Sequence, residues 1–199
     1  MTVGAVNHVA AAIGARLEVR AMWHGEATDR LLDGTHAQLV EEIIRLLAAG
    51  GWLTVAEVTF QFGADRGSVD VLAFHPPSGI VLVVEVKSVV PDMQSMLASL
   101  DRKARHAVRI AAGRGWRGRS VGRLLVLPED RTARRRLAQF GETFRTVLPA
   151  RNREVRGWLG RPMGSLAGVL FLPNARPVRT RHRVRSLRRQ PTHADQHPS

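Results

Sequence analysis

The sequence contains no cysteine, and only two of its 30 basic residues are lysines. The lack of cysteine excludes disulfide bridges and thiolate metal sites. Aromatic residues make up 5% of the chain, too few and too scattered for a platform on which single-stranded bases would stack. No apolar run approaches the ~20 residues of a membrane span, and the N-terminus does not have the pattern of a signal peptide. These absences favour a cytoplasmic protein that does not cross a membrane.

Several familiar site patterns are also missing. The eight histidines show no zinc-ligand spacing, and the chain has neither a phosphate-binding glycine loop nor a Ser-His-Asp order. What the sequence does have is 199 residues with 44% apolar content, enough for one domain of moderate size with a real core.

The net charge of +13 is unevenly distributed. Residues 1–100 carry −5, residues 101–173 carry +12 and residues 174–199 carry +6. Almost all of the positive charge is arginine, whose planar fork matches phosphate geometry. The charge therefore predicts contact with nucleic acid, namely the DNA phosphate backbone, through residues 101–161 and the basic tail. The alternatives are a solvated arginine-rich helix face and a tail without a binding role. A homodimer is left open by these features.

Hydrophobic periodicity and turn residues predict an α/β protein with a mixed sheet. We expect a lead-in over 1–34 with a strand at 16–23, one domain over 35–173, and a disordered basic tail over 174–199. Thr35 is the expected N-cap of the first helix. The expected helices are 36–52, 92–115, 129–144 and one within REVRGWLGRP, and the expected strands are 53–62, 68–74, 80–88, 121–128 and 168–173, with a turn at 63–67.

The run GSVDVLAFHPPSGIVLVVEVKS (67–88) carries two acidic residues and a lysine within predicted strands. If the turn is centred between Pro77 and Ser78, Asp70 lies opposite Glu85 on the same face of the hairpin, and Lys87 follows on that face. Two adjacent carboxylates need a shared proton or a cation. Oxygen ligands suit Mg²⁺ or Mn²⁺, and a lysine beside such a metal can assist a water that attacks phosphorus. The alternative is a salt-bridge ladder on an exposed sheet face.

Asp70 on one strand and the Glu85-x-Lys87 motif on the next resemble the PD-(D/E)XK nuclease superfamily, which has the restriction-endonuclease-like fold. The helix–strand–strand–strand–helix–strand order of residues 35–128 is similar as well. Val69 stands where that family often has proline. The resemblance implies a mixed sheet flanked by helices, with Asp70 and Glu85 as metal ligands and Lys87 as a catalytic residue.

A longer resemblance is to actinobacterial proteins in which such a domain follows a helix-turn-helix regulator. The similar stretches are GSVDVLAFHP, VVEVKS, RLLVLPEDRTARRR and LPARNREVRGWL, and they cover about residues 16–173. The helix-turn-helix part itself is not recognisable before His36.

Nucleases of this type often take another metal ligand from the first helix, where His36 is the first candidate and Glu42 the second. A packed or capping role for His36, and a solvated face for Glu42, are the alternatives. Glu57 on the first strand would join the cluster if that strand neighbours Asp70. Gln94 and Lys103 on the following helix could face the site or the DNA backbone, and a surface role is the favoured alternative for both.

Three functions remain open from the sequence. The first is a Mg²⁺- or Mn²⁺-dependent enzyme that hydrolyses DNA phosphodiester bonds. The second is a catalytically inactive DNA-binding or regulatory module on the same fold, and the third is a domain that binds only a protein partner. The substrate structure and the exo- or endonucleolytic mode are not determined by the sequence.

Overall fold

The computed structural model describes residues 26–90 and 92–173. Their elements are α1 (Glu26–Ala49), β1 (Leu53–Phe62), β2 (Asp65–His75), β3 (Ile80–Val86), α2 (Met93–Ala112), β4 (Ser120–Pro128), α3 (Arg131–Gln139), α4 (Gly141–Val147), α5 (Asn152–Gly160) and β5 (Ala167–Leu172). The predicted strand at 16–23 and the tail at 174–199 lie outside the described residues.

The five strands form one mixed sheet in the order β1-β2-β3-β4-β5. The β1–β2 and β2–β3 pairs are antiparallel, and the β3–β4 and β4–β5 pairs are parallel. Every residue of β3 is buried, as expected for an uninterrupted apolar strand covered on both faces. The predicted α/β class with a mixed sheet flanked by helices is therefore confirmed.

The side chains of the sheet divide between two cores, one on each face. One core contains Val84 and Val86 of β3 together with α1 and α5, and we call this the α1 face. The other core contains Val81 and Val83 of β3 together with α2, α3 and α4, and we call this the α2 face. Because side chains alternate along a strand, Glu85 belongs to the α2 face.

The β2–β3 hairpin has the predicted register. Val71 pairs with Val84 and His75 with Ile80, so the turn is centred between Pro77 and Ser78. Gly79 has φ +68°, a left-handed conformation that glycine adopts without steric cost. The predicted relation between Asp70 and Glu85 follows from this register, although the ladder itself ends one pair earlier.

Three predicted element boundaries are wrong. The first helix begins at Glu26 and runs through Thr35, so Thr35 is not its cap and the predicted boundary at 34/35 falls inside a helix. The predicted turn at 63–67 is shorter, because β2 already begins at Asp65. The helix predicted over 129–144 is two helices that meet at Phe140, next to the poor helix former Gly141.

Within the described part of the chain, no helix has both the length and the apolar composition that crossing a bilayer requires.

Candidate functional site

Glu85 is the centre of the site. Its side chain is 2% exposed, although it carries a charge that burial would penalise unless it is paired. One carboxylate oxygen, Oε1, lies 2.7 Å from Nζ of Lys87. The other oxygen, Oε2, accepts a hydrogen bond from Nζ of Lys103 on α2. Both oxygens of this buried carboxylate are therefore neutralised by ammonium groups.

Lys103 contacts the Glu85 carboxylate, so the surface role that the sequence favoured is wrong for it. Its side chain is 7% exposed. The residue lies three positions after Leu100 and four before Ala107, both of which are buried on α2. That spacing places Lys103 on the apolar stripe of the helix, a signal that was available in the sequence. Gln94, in contrast, is exposed as expected.

Asp70 lies where β2 separates from β3. Its Oδ2 accepts a hydrogen bond of 2.6 Å from the backbone N–H of Val86, which the β2–β3 ladder no longer reaches. Burial raises the pKa of the Asp70 carboxyl above its usual value, and the charge of Glu85 raises it further. The Val86 N–H, Lys103 and Lys87 act in the opposite direction. Unlike Glu85, Asp70 has no ion-pair partner among the residues that the structure describes.

Strands β1 and β2 are irregular where they carry Glu57 and Asp70. The β1–β2 ladder pairs Ala56 with Val71 and Val58 with Val69, and it skips Glu57 and Asp70, which the register places opposite each other. Glu57 has φ +52°, a conformation that costs a non-glycine residue about 1–3 kcal/mol. On β2, the alternation reverses at the same point, because Val69 lies on the α2 face and Val71 on the α1 face.

The residues expected to complete a metal site do not join Asp70 and Glu85. Across residues 34–90 and 92–173, no three His, Asp or Glu side chains come together as a group that could hold a metal. Glu57 lies on β1, the strand that neighbours Asp70 as predicted, but the Glu57 side chain is exposed. Glu42 is paired with Arg45 on the surface of α1.

The position of α1 explains why His36 is not part of this group. His36 lies on the stripe of α1 that contains Leu39 and Ile43, and these two residues pack on the α1 face of the sheet. Glu85 lies on the α2 face, beside Lys103. The helix that carries His36 therefore packs on the face of the sheet opposite to Glu85.

The four charged groups of the site, Asp70, Glu85, Lys87 and Lys103, carry two negative and two positive charges. Two oxygen ligands and two ammonium donors can bind an anion, a hard cation at the carboxylates, or both together. The alternative of a salt-bridge ladder on an exposed sheet face does not describe this arrangement, because Glu85 and Lys103 are buried.

The chain matches no protein-family model. No curated protein matches it closely enough to count as a relative.

Proposed function

We propose that the protein is a metal-dependent nuclease that hydrolyses DNA phosphodiester bonds. Asp70 and Glu85 would hold Mg²⁺ or Mn²⁺, and Lys87 would assist the attacking water. The observation that carries this proposal is the convergence of Asp70, Glu85 and Lys87 at the end of the β2–β3 ladder, with Asp70 half-buried and without an ion-pair partner among the described residues.

The residues present fit a magnesium ion. Mg²⁺ keeps several of its waters and is often bound through only one or two carboxylates. The raised pKa of Asp70 has burial and the Glu85 charge as its two main causes, and a bound cation would offset both. Ligation by Glu85 requires one of its lysine contacts to open. Lys87 is the partner free to move, since 32% of its side chain is exposed.

When bound, the metal supplies a polarised water and stabilises charge on the phosphate. The protein residues have their own tasks. Asp70 keeps its position through the Val86 N–H. Lys87 places an ammonium group beside the carboxylates, where it can orient the water and stabilise negative charge that develops on phosphorus. Lys103 holds the second oxygen of Glu85 in place from within the core.

DNA would be held by arginines. The exposed side chains of Arg131, Arg135 and Arg136 lie on α3, and α3 packs on the same face of the sheet as Glu85. Phosphate contacts of this kind position a duplex without reading its sequence.

The test is nicking of supercoiled plasmid by the purified chain with Mg²⁺ or Mn²⁺. We expect cleavage that chelation with EDTA abolishes. Lys87→Met should lower the rate at least about 100-fold, the usual effect of losing one electrostatic stabiliser, because it removes the ammonium group and keeps most of the side-chain volume.

Binding of the plasmid in EDTA, measured for both proteins, is the control for folding of the variant. Equal rates for the variant and the unmodified chain would identify a contaminating nuclease. Absence of cleavage by the unmodified chain with both metals would contradict the proposal.

A second candidate is a DNA-binding or regulatory module that does not cleave. It is favoured by the two lysines on Glu85, which neutralise this carboxylate without a metal. This candidate predicts DNA binding in EDTA that survives Asp70→Ala, together with no cleavage in Mg²⁺ or Mn²⁺.

A further inference from the structure

A cavity of about 320 Å³ lies between α3, α4 and β5. Its apolar lining includes Leu137, Phe144 and Phe171, all of them buried. Three arginines, Arg134, Arg145 and Arg151, also line it. A volume of roughly 300–1,000 Å³ with mainly apolar walls and a few polar groups is typical of small-molecule sites.

Arg151 is the least compensated of these arginines. Its guanidinium donates to the carbonyl oxygens of Leu148 and, over 3.4 Å, Ala150, which are uncharged acceptors. Burial lowers the pKa of Arg151; Glu154 raises it, and the nearby charge of Arg145 lowers it again. Among the described residues, no carboxylate lies within ion-pair distance of this guanidinium.

The other two arginines differ in how far they are paired. Arg134 donates to Glu129 over 2.7 Å and lies over the ring of Phe171, 4.5 Å from its centre. Arg145 is 70% exposed, and its distance to Glu142 is 3.7 Å. No carboxylate is among the residues that line the cavity. The lining of the cavity is therefore positive, with Arg151 lacking an ion pair and Arg145 held only by the long, exposed contact to Glu142.

We propose that this cavity binds a phosphomonoester, carried by a free nucleotide or by the 5′ end of a DNA strand. Arginine forks match the oxygens of a phosphate group. A monoester carries −1.5 to −2 near neutral pH, which suits the guanidinium groups of Arg151 and the loosely paired Arg145 better than the single charge of a backbone diester does. The apolar walls would contact the body that carries the phosphate.

This inference goes beyond the proposed nuclease function, because none of the residues that line the cavity is Asp70, Glu85, Lys87 or Lys103. It is tested in EDTA, where metal-dependent cleavage cannot occur. Its failure would leave the nuclease proposal unaffected, and a protein without nuclease activity would leave this inference unaffected.

The experiment measures binding of adenosine 5′-monophosphate and of adenosine to the full chain by titration calorimetry. We expect the monophosphate to bind at least tenfold more tightly. Arg145→Gln and Arg151→Gln should each weaken its binding at least tenfold. Arg153→Gln is the matched control, because it removes the same charge from an exposed position outside the cavity, and its effect should stay within twofold.

Two further measurements are made on the unmodified chain. The first identifies the molecule that carries the phosphate, and the second locates the binding site without relying on a variant that could misfold. A short oligonucleotide with a 5′-phosphate is compared with the same strand ending in a 5′-hydroxyl. Tighter binding of the phosphorylated strand alone supports a DNA end, and tighter binding of the mononucleotide alone supports a free nucleotide. In the unmodified chain, the monophosphate should shift the amide resonances of Gly141 and Phe171.

The inference is overturned if phosphorylated and unphosphorylated forms of both ligands bind equally. It is also overturned if Arg153→Gln weakens binding as much as Arg145→Gln does, because general surface charge would then account for the affinity.

Discussion

At the scale of single residues, the two lysines of the chain reach the same carboxylate. Every other basic side chain is arginine, yet Lys87 and Lys103 both contact Glu85. A lysine ammonium is a compact point charge, whereas a guanidinium presents a wide planar fork. One buried carboxylate oxygen in a packed core is better matched by the ammonium group. The two lysines therefore give each oxygen of Glu85 its own ammonium partner.

Removing Lys103 should destabilise the protein more than removing Lys87. Lys103→Met leaves a buried carboxylate with one of its two cations, and breaking a buried pair costs about 3 kcal/mol. Lys87→Met is the matched control, because its partly exposed pair is worth about 1 kcal/mol or less. Urea denaturation of both variants measures the free energy of unfolding. Equal losses would contradict the buried Lys103–Glu85 pair.

We expect the charged form of Asp70, which the proposed metal site needs, to lower the stability of the folded protein. Its pKa is raised in the folded protein, so the folded state binds more protons than the unfolded state, and stability falls as pH rises through the Asp70 titration. Asp70→Asn removes this penalty, and its amide oxygen can still accept from the Val86 N–H. We therefore expect the variant to be more stable than the unmodified chain at neutral pH.

The measurement is urea denaturation in EDTA from about pH 4, near the unperturbed Asp pKa, to pH 8. The stability advantage of Asp70→Asn should be smallest at the acidic end and should grow with pH. The prediction is contradicted if Asp70→Asn is less stable than the unmodified chain at neutral pH. It is also contradicted if the difference in stability between the two proteins does not change with pH.

At the scale of elements, close approach of helix and strand fixes where α5 sits. A Cβ added to Gly168 of β5 would lie 2.8 Å from a methyl carbon of Val155 on α5 and 3.1 Å from the Ala150 carbonyl oxygen. Gly157, two residues after Val155 and on the exposed side of α5, has nothing within 4 Å of such a Cβ. The two glycines therefore have different reasons to be there, since only Gly168 is required by packing.

Substitution of these two glycines by alanine should have opposite effects. Gly157→Ala should stabilise the protein by about 0.5–1 kcal/mol, because alanine is the better helix former. Gly168→Ala should destabilise it by about 1–3 kcal/mol through overpacking. Thermal and urea unfolding test both. A stabilising Gly168→Ala would mean that α5 packs less closely on β5 than described.

At the scale of the whole molecule, the two faces of the sheet differ in what they offer. The α2 face contains the Glu85 pair and also α3 with its exposed arginines. The α1 face contains α1 and α5. If DNA binds at the proposed site, its phosphates should contact the arginines of α3 and not those of α5.

The salt dependence of DNA binding tests this division of the surface. Each phosphate neutralised contributes about 0.9 to the slope of log K against log salt concentration. Replacing Arg131, Arg135 and Arg136 on α3 by glutamine should reduce the slope by about 2 to 3. Replacing Arg153, Arg156 and Arg161 removes the same charge at and beside α5 and should reduce it by less than 1.

Equal reductions for the two triple variants would mean that DNA has no preferred face. Binding in EDTA, measured over a range of salt concentrations, keeps this result independent of cleavage.

The sequence by itself determined the bounds of β1, the start of β3 and the register of the β2–β3 hairpin that relates Asp70 to Glu85. These features are local, because a turn centred on Pro77 and Ser78 fixes which residues of two adjacent strands face each other. The metal-ligand and catalytic roles of those residues stay predictions.

Only the tertiary structure decided which face of the sheet each helix covers. That choice placed Lys103, sixteen residues after Lys87, against Glu85. It placed α1, the helix of His36, on the opposite face of the sheet. It also placed Arg145 and Arg151 around one cavity with Phe171 of β5. Helical periodicity shows which stripe of a helix is buried, but the layer against which it packs depends on contacts between distant parts of the chain.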